Sequence, residues 1–121
     1  DVLIAFERLE ALRYAHFLKK DGVMIVNDLR MDPMPVSIGA AQYPENIIEN
    51  LKKKHQVISL DAQALAKEIG NARVFNTIII GVAAKRMDFA KEDWLKVIEE
   101  TVPQKTIEIN TRAFEAGYAL G

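Results

Sequence analysis

The chain has 121 residues, enough for one domain around one core. Half of them are apolar and 27% charged, and 16 basic against 17 acidic side chains leave a net charge of -1; this is the balance of a globular protein, with no basic block to neutralise a run of nucleic-acid phosphates. With no cysteine, these residues supply neither a disulfide, nor a thiolate zinc site, nor the ligands of an iron–sulfur cluster, so a redox centre must sit on another polypeptide.

Asp1 to Phe6 is a continuous apolar and β-branched run, the pattern of a strand covered on both faces in a parallel sheet. The chain opens on Asp1, directly in this strand, and no leader is legible before it. From Glu7 to Leu18 the spacing turns helical: Leu9, Ala11, Leu12, Tyr14, Ala15, Phe17 and Leu18 make a broad apolar face, with Glu10 and Arg13 outward. Lys19, Lys20, Asp21 and Gly22 stop that helix, the lysines at its negative end and the glycine free to take positive φ. Val23 to Asn27 is the next buried strand, and strand–helix–strand at this spacing is a right-handed parallel crossover.

The stretch "DLRMDPMPVSIGAAQYP" follows, where Pro33, Pro35 and Pro44 forbid a continuous helix. Ligands of open α/β sheets collect beyond the carboxyl ends of the strands, which places Asn27, Asp28 and Arg30 where a site forms. A short helix from Glu45 to Lys54 ends in Lys52, Lys53, Lys54 and His55, a cationic run that complements the helix dipole, with phosphate binding as the less economical reading. "QVISLD" is a third strand, and Asp61 is placed to cap a helix from Ala62 to Ile69 that Gly70 and Asn71 close with a left-handed turn.

Val74 to Ala84 reads as a buried helix interrupted only by Asn76, Thr77 and Gly81, with strand as the competing reading because Ile78, Ile79 and Ile80 are β-branched. Even this stretch falls short of the roughly 20 residues that cross a bilayer, so neither a membrane partner nor a nucleic acid is expected and the setting is read as cytoplasmic. Lys91 to Thr101 is helical, with Trp94, Leu95, Val97 and Ile98 spaced as a face. Pro103 suits the first turn of a last helix, along which Ile107, Asn110, Phe114 and Tyr118 recur at three- and four-residue steps. The fold expected is α/β, a three-layer α/β/α domain over 1–121 with a mainly parallel sheet.

The chemistry is sparse. His16 and His55 have no metal-ligand spacing, and His16 reads as a helix-packing or half-exposed histidine rather than a catalytic one; no nucleophile elbow or glycine-rich phosphate loop occurs, and no residue is assigned a catalytic or metal-binding role. Asn27 at a strand end, Asn76 in a buried segment and Asn110 on an inner helix face are better clues, because a buried amide must bond either to backbone or to a ligand.

"FERLEALRYAHFLKKDGVMIVND", "PMPVSIGAAQYP", "DAQALAKEIGNARVFNTIIIGVAAK" and "VPQKTIEINTRAFEAGYALG", in this order, resemble the gamma-type catalytic domain of the 2-oxoacid:ferredoxin oxidoreductase family. The helix containing Glu7, Leu9, Glu10, Ala11, Leu12, Arg13 and Tyr14 looks closer to the small (beta) subunit of the indolepyruvate branch than to the pyruvate branch. Family members begin with a glycine-rich strand-to-helix segment, so the resemblance implies a partial domain, incomplete at its N-terminus.

It further implies an assembly that converts an aryl 2-oxoacid to an acyl-coenzyme A and passes electrons to ferredoxin, with thiamine diphosphate and iron–sulfur clusters on a large (alpha) subunit. This chain would bind none of these cofactors and be inactive alone; Asn27, Arg30 and the Pro33 to Pro35 loop would form the edge facing coenzyme A or the partner, with Asn76 a further candidate. Exposed strand edges are expected to favour oligomers. Two rivals remain at this point: a noncatalytic interaction module, and a fragment of an S-adenosylmethionine-dependent methyltransferase, because "FLKKDGVMIVND" also looks like the strand after that cofactor's site.

Overall fold

A computed structural model describes every residue from Asp1 to Gly121 as two compact units, Asp1–Leu60 and Asp61–Gly121.

The first unit is a wholly parallel sheet of β1 (Val2–Ala5), β2 (Val23–Asn27) and β3 (Gln56–Leu60) in that spatial order. Val2 lies opposite Val23, Val23 opposite Gln56 and Asn27 opposite Leu60. All five residues of β2 are buried, as its unbroken apolar run requires of a central parallel strand. The expected α/β crossover is present: α1 (Arg8–Tyr14) joins β1 to β2.

α1 is shorter than its pattern suggests, giving way to a 3-10 turn over Ala15–Phe17. Its inward stripe is Leu9, Ala11, Ala15 and Leu18, while Leu12, Tyr14 and Phe17, expected on the apolar face, are exposed. Gly22 also differs from expectation. Its φ is not positive; a Cβ there would lie 2.6 Å from the Asp1 carbonyl oxygen and 2.6 Å from Leu18 Cδ1, so the glycine serves close approach rather than a left-handed turn.

Between β2 and β3 the proline-rich stretch forms one helical turn, α2 (Met34–Ser37), with Pro33 at its N-cap and Pro35 in its first turn. Then comes α3 (Ile47–Lys52), shorter than the 45–54 expected, entered through Asn46 at φ 54°. Tyr43, Ile47 and Leu51 pack with Met24 and Val26 in the core of this unit.

The second unit is helical: α4 (Ala62–Ile69), α5 (Phe75–Lys85), α6 (Lys91–Thr101) and α7 (Ile107–Leu120). The Asp61 carboxylate accepts from the Ala64 N–H at 3.0 Å, and Gly70 closes α4 at φ 119°. Asn71 does not share that left-handed conformation; it is extended and its side chain accepts from Arg73 N–H at 2.9 Å. α5 settles the helix-or-strand alternative for Val74 to Ala84 as helix. α5 and α7 approach through Gly81 and Gly117, each facing backbone of the other helix, and Thr77 Oγ1 donates to Asn110 Oδ1 at 2.8 Å across the same pair. No helix is long and apolar enough to cross a membrane.

Candidate functional site

Because all three strands run the same way, their carboxyl ends open on one side, and there the first unit carries a cleft of about 840 Å³. Asp28, directly after β2, and Ser59 of β3 line it, together with Arg8 from the first turn of α1, Arg30 from the following loop, and Lys52 at the end of α3. The cleft is polar and of mixed charge, since Glu45 and Glu49 also face it.

Arg8 Nε donates to Asp28 Oδ1, and Arg30 Nε donates to Asp32 Oδ1 at 2.7 Å. Both pairs are solvent-exposed and contribute little to stability. The Asp32 hydrogen bond nevertheless raises the Arg30 pKa further, and the guanidinium lies over the Tyr43 ring, 4.5 Å from its centroid.

Beneath this surface lies a carboxylate that sequence inspection passes over. Glu7 is buried, 6% exposed, and caps α1 by accepting from the Glu10 N–H at 2.9 Å through Oε1. Its Oε2 accepts from the Met31 N–H at 3.1 Å and from the Tyr43 hydroxyl, whose oxygen in turn accepts from the Leu9 N–H at 3.1 Å. Burial alone would push the Glu7 pKa up; the hydrogen bonds from Tyr43, Met31 and the first turn of α1 outweigh it and leave the pKa below its ordinary 4.5. Burial together with the Glu7 charge pushes the Tyr43 phenol up to about 12.

These directions set a pH window. A depressed carboxylate stabilises the fold above its unfolded value, so stability should fall as pH drops below 4.5 and on through the lower folded pKa, because the unfolded chain then binds more protons. The raised phenol acts oppositely: its contribution is complete below 10 and fades as pH climbs from there towards about 12. Chemical denaturation against pH should therefore give an acid limb that is shallower in Glu7→Gln; equal slopes in both chains would contradict this assignment.

The sequence-derived candidates divide. Arg30 lines the cleft. Asn27 is fully buried and absent from the cleft wall; its Nδ2 donates to the Phe6 carbonyl at 3.3 Å, tying the end of β1 to that of β2. Asn76, read as buried, is exposed in the second unit, with Oδ1 accepting from Thr77 N–H at 2.9 Å. Its position explains the difference, since the buried stripe of α5 runs through Ile78, Ile79, Val82 and Ala83, and 76 and 80 turn outward. Asn110 is half-buried and bonded to Thr77 and, through Nδ2, to the Thr106 carbonyl at 3.0 Å. His16 is exposed and lies against the Phe17 ring.

A parallel sheet with a crossover helix and a polar cleft past the carboxyl ends of its strands defines an α/β domain of the open-sheet kind, in which ligands collect on that side. Residues 1–120 match the family described as pyruvate ferredoxin/flavodoxin oxidoreductase, and the chain belongs to that family. Among curated relatives, indolepyruvate oxidoreductase subunit IorB of Thermococcus kodakarensis is 38% identical over 97% of this chain and 61% of that protein. Its namesakes in Pyrococcus horikoshii and Archaeoglobus fulgidus are 35% and 37% identical over 97% and 98% of this chain, again 61% of each relative. The chain thus spans about three-fifths of the length of these relatives.

Among solved structures, the gamma subunit of a keto/oxoacid ferredoxin oxidoreductase from Geobacter sulfurreducens superposes with a TM-score of 0.72 over 99% of this chain and 63% of its own, at 23% identity. The 2-oxoglutarate:ferredoxin oxidoreductase of Magnetococcus marinus, with 2-oxoglutarate, coenzyme A and succinyl-CoA bound, gives 0.69 over 99% of this chain and 19% of its own, at 18% identity. Both bear out the α/β fold, and the family membership displaces the methyltransferase reading.

Proposed function

We propose that this chain is part of the small subunit of a 2-oxoacid:ferredoxin oxidoreductase acting on an aryl pyruvate such as indolepyruvate, and that residues 1–121 serve there as one gamma-type domain. The observation that carries the reading is 38% identity to an indolepyruvate oxidoreductase subunit over 97% of the chain. In the reaction, the 2-oxoacid and the coenzyme A thiol give an acyl-CoA and carbon dioxide, two electrons pass to ferredoxin, and the thiol proton is released.

The absence of cysteine, together with the lack of any group of three or more His, Asp or Glu that could hold a metal, means that these residues do not fit an iron–sulfur cluster. On this reading the clusters and thiamine diphosphate lie on a large partner subunit, in a cytoplasmic assembly. Two features of the cleft support a phosphate-bearing ligand: Arg30 engages Asp32 through Nε, so that hydrogen bond does not use its two terminal nitrogens, and Lys52 lines the same cleft. Coenzyme A, when bound, supplies the thiol that receives the acyl group; Arg30, Lys52 and Arg8 would hold its phosphates. Asn27 supports the rim from below, and the Pro33 to Pro35 loop and exposed Asn76 face the partner.

The test is to tag the full-length gene product in its own host, purify it without oxygen, and assay for iron, thiamine diphosphate and coenzyme A-dependent oxidation of indolepyruvate. A large iron-containing partner carrying that activity supports the reading; a lone polypeptide with neither overturns it and favours an interaction module.

The edge strand β1 gives a separate expectation for the isolated chain. Ile4, Phe6, Tyr14 and Phe17 are exposed beside its unpaired outer edge, a combination that promotes association. At micromolar concentration the 121-residue chain should sediment as a dimer or larger species; a clean monomer would contradict this.

A further inference from the structure

We infer that Glu7 is a positioning residue for the cleft: through Tyr43 and the Met31 N–H it fixes Arg30 in place to receive the phosphate groups of a ligand. The inference rests on the reading of the cleft as a coenzyme A site.

Arg30 lies on a loop with no regular structure; besides its own hydrogen bond to Asp32, it is held by two routes that meet at the Glu7 carboxylate. The first is backbone. Met31, its neighbour, donates its N–H to Glu7 Oε2 at 3.1 Å, and the Leu29 carbonyl on the other side accepts from Arg8 N–H at 3.0 Å, so the chain on both sides of Arg30 is stitched to the first turn of α1. The second is side chain. The Tyr43 ring supports the guanidinium from below at 4.5 Å, and that ring is oriented by its hydroxyl, which donates to Glu7 Oε2 and accepts from Leu9 N–H.

Glu7 itself is held rigidly. It is buried, and its other oxygen caps α1, so the carboxylate joins the helix to two points of the 28–44 loop. It has no contact with the cleft, unlike Tyr43 and Arg30, which both line it. A carboxylate with several donors that stands off the cleft wall would act on a ligand there only through what it orients. A guanidinium fork binds phosphate well only in the right plane, so losing that orientation should weaken binding without altering the reacting atoms.

The experiment uses the full-length subunit assembled with its partner and measures kcat and the KM for coenzyme A and for the 2-oxoacid in Arg30→Ala, Glu7→Gln, Tyr43→Phe and the double variant Arg30→Ala with Tyr43→Phe. Tyr43→Phe removes one oxygen and keeps the ring, so it tests the clasp where Glu7→Gln proves hard to fold. Arg30→Ala should raise the coenzyme A KM about tenfold, the effect of one charge-assisted contact. Tyr43→Phe and Glu7→Gln should each raise it by about threefold to tenfold, with kcat and the 2-oxoacid KM little changed. The double variant should be no worse than Arg30→Ala, since Tyr43 acts through Arg30.

An unchanged coenzyme A KM in Tyr43→Phe and Glu7→Gln, in an assembly where Arg30→Ala raises it, overturns the positioning role and leaves the site standing. An unchanged KM in Arg30→Ala overturns both the role and the site. An assembly that never oxidises a 2-oxoacid with coenzyme A removes the functional reading itself, and the inference with it.

Discussion

Replacing Gly117 by alanine is expected to lower stability by about 3 kcal/mol, the upper part of the range for overpacking, although alanine gains up to about 1 kcal/mol in helix propensity. The Cβ would run into the Ile78 carbonyl oxygen, 2.8 Å from the Ile78 carbonyl carbon and 3.0 Å from Val82 N. All of these are backbone atoms of α5, so no side chain can rotate to make room and the two helices must part. Gly81 presents the reciprocal case: its Cβ would meet the Phe114 carbonyl oxygen and lie 2.9 Å from Tyr118 N. Separation at either point would loosen the packing around Phe114, Ile78 and Val82, all fully buried. Gly39→Ala is the contrast: it meets nothing within 4 Å and has only its φ of 79° against it, a cost of about 1 kcal/mol. The sole tryptophan, Trp94, stacks 6.2 Å from Phe114, so its fluorescence during denaturation reports this unit. A Gly117→Ala midpoint no lower than that of the unsubstituted chain would overturn the expected loss.

What was legible in the sequence follows the range of the interactions. β2, α4 and α6 have the bounds that periodicity and caps imply, because the Asp61 cap and the Gly70 turn reach at most a few residues. The inward stripe of α1 was misread. Leu12, Tyr14 and Phe17 are as apolar as Leu9 and Leu18, and only the helix's early end and its seat on the sheet decide which of them face the core. Gly22 serves a close approach rather than a turn, and the Asp1 carbonyl it makes room for is 21 positions away and invisible to turn chemistry. The cleft wall is half legible. Arg30 is where strand topology places a ligand group, whereas Glu7 and Tyr43 are joined across 36 residues and look in sequence like an ordinary surface carboxylate and a loop aromatic. The spacing of Glu7 three residues before Glu10 at a helix start was the one available signal, since a carboxylate there is placed to cap.

The same carboxylate gives the second large effect. Glu7→Ala leaves the Glu10 N–H, the Met31 N–H and the Tyr43 hydroxyl without their acceptor and removes the cap of α1. Each orphaned buried donor costs about 1–3 kcal/mol, and because water can enter as the loop loosens, the sum should settle near 3–5 kcal/mol rather than at the full total. Glu7→Gln should cost about half as much: one oxygen remains to accept, but the amide N–H₂ now meets a donor where Oε2 stood. The loss should be localised. Amide hydrogen exchange should accelerate at Met31 and along residues 29–43 in Glu7→Ala, while α5 and α7 keep their protection, because the carboxylate stitches α1 to this loop. Acceleration spread evenly over both units would make Glu7 a general determinant of folding and not the fastening of the cleft; protection unchanged at Met31 would mean that the loop is held by its own backbone turns, in which the Pro33 carbonyl accepts from Val36 and Ser37 and the Pro35 carbonyl from Ala40 and Ala41.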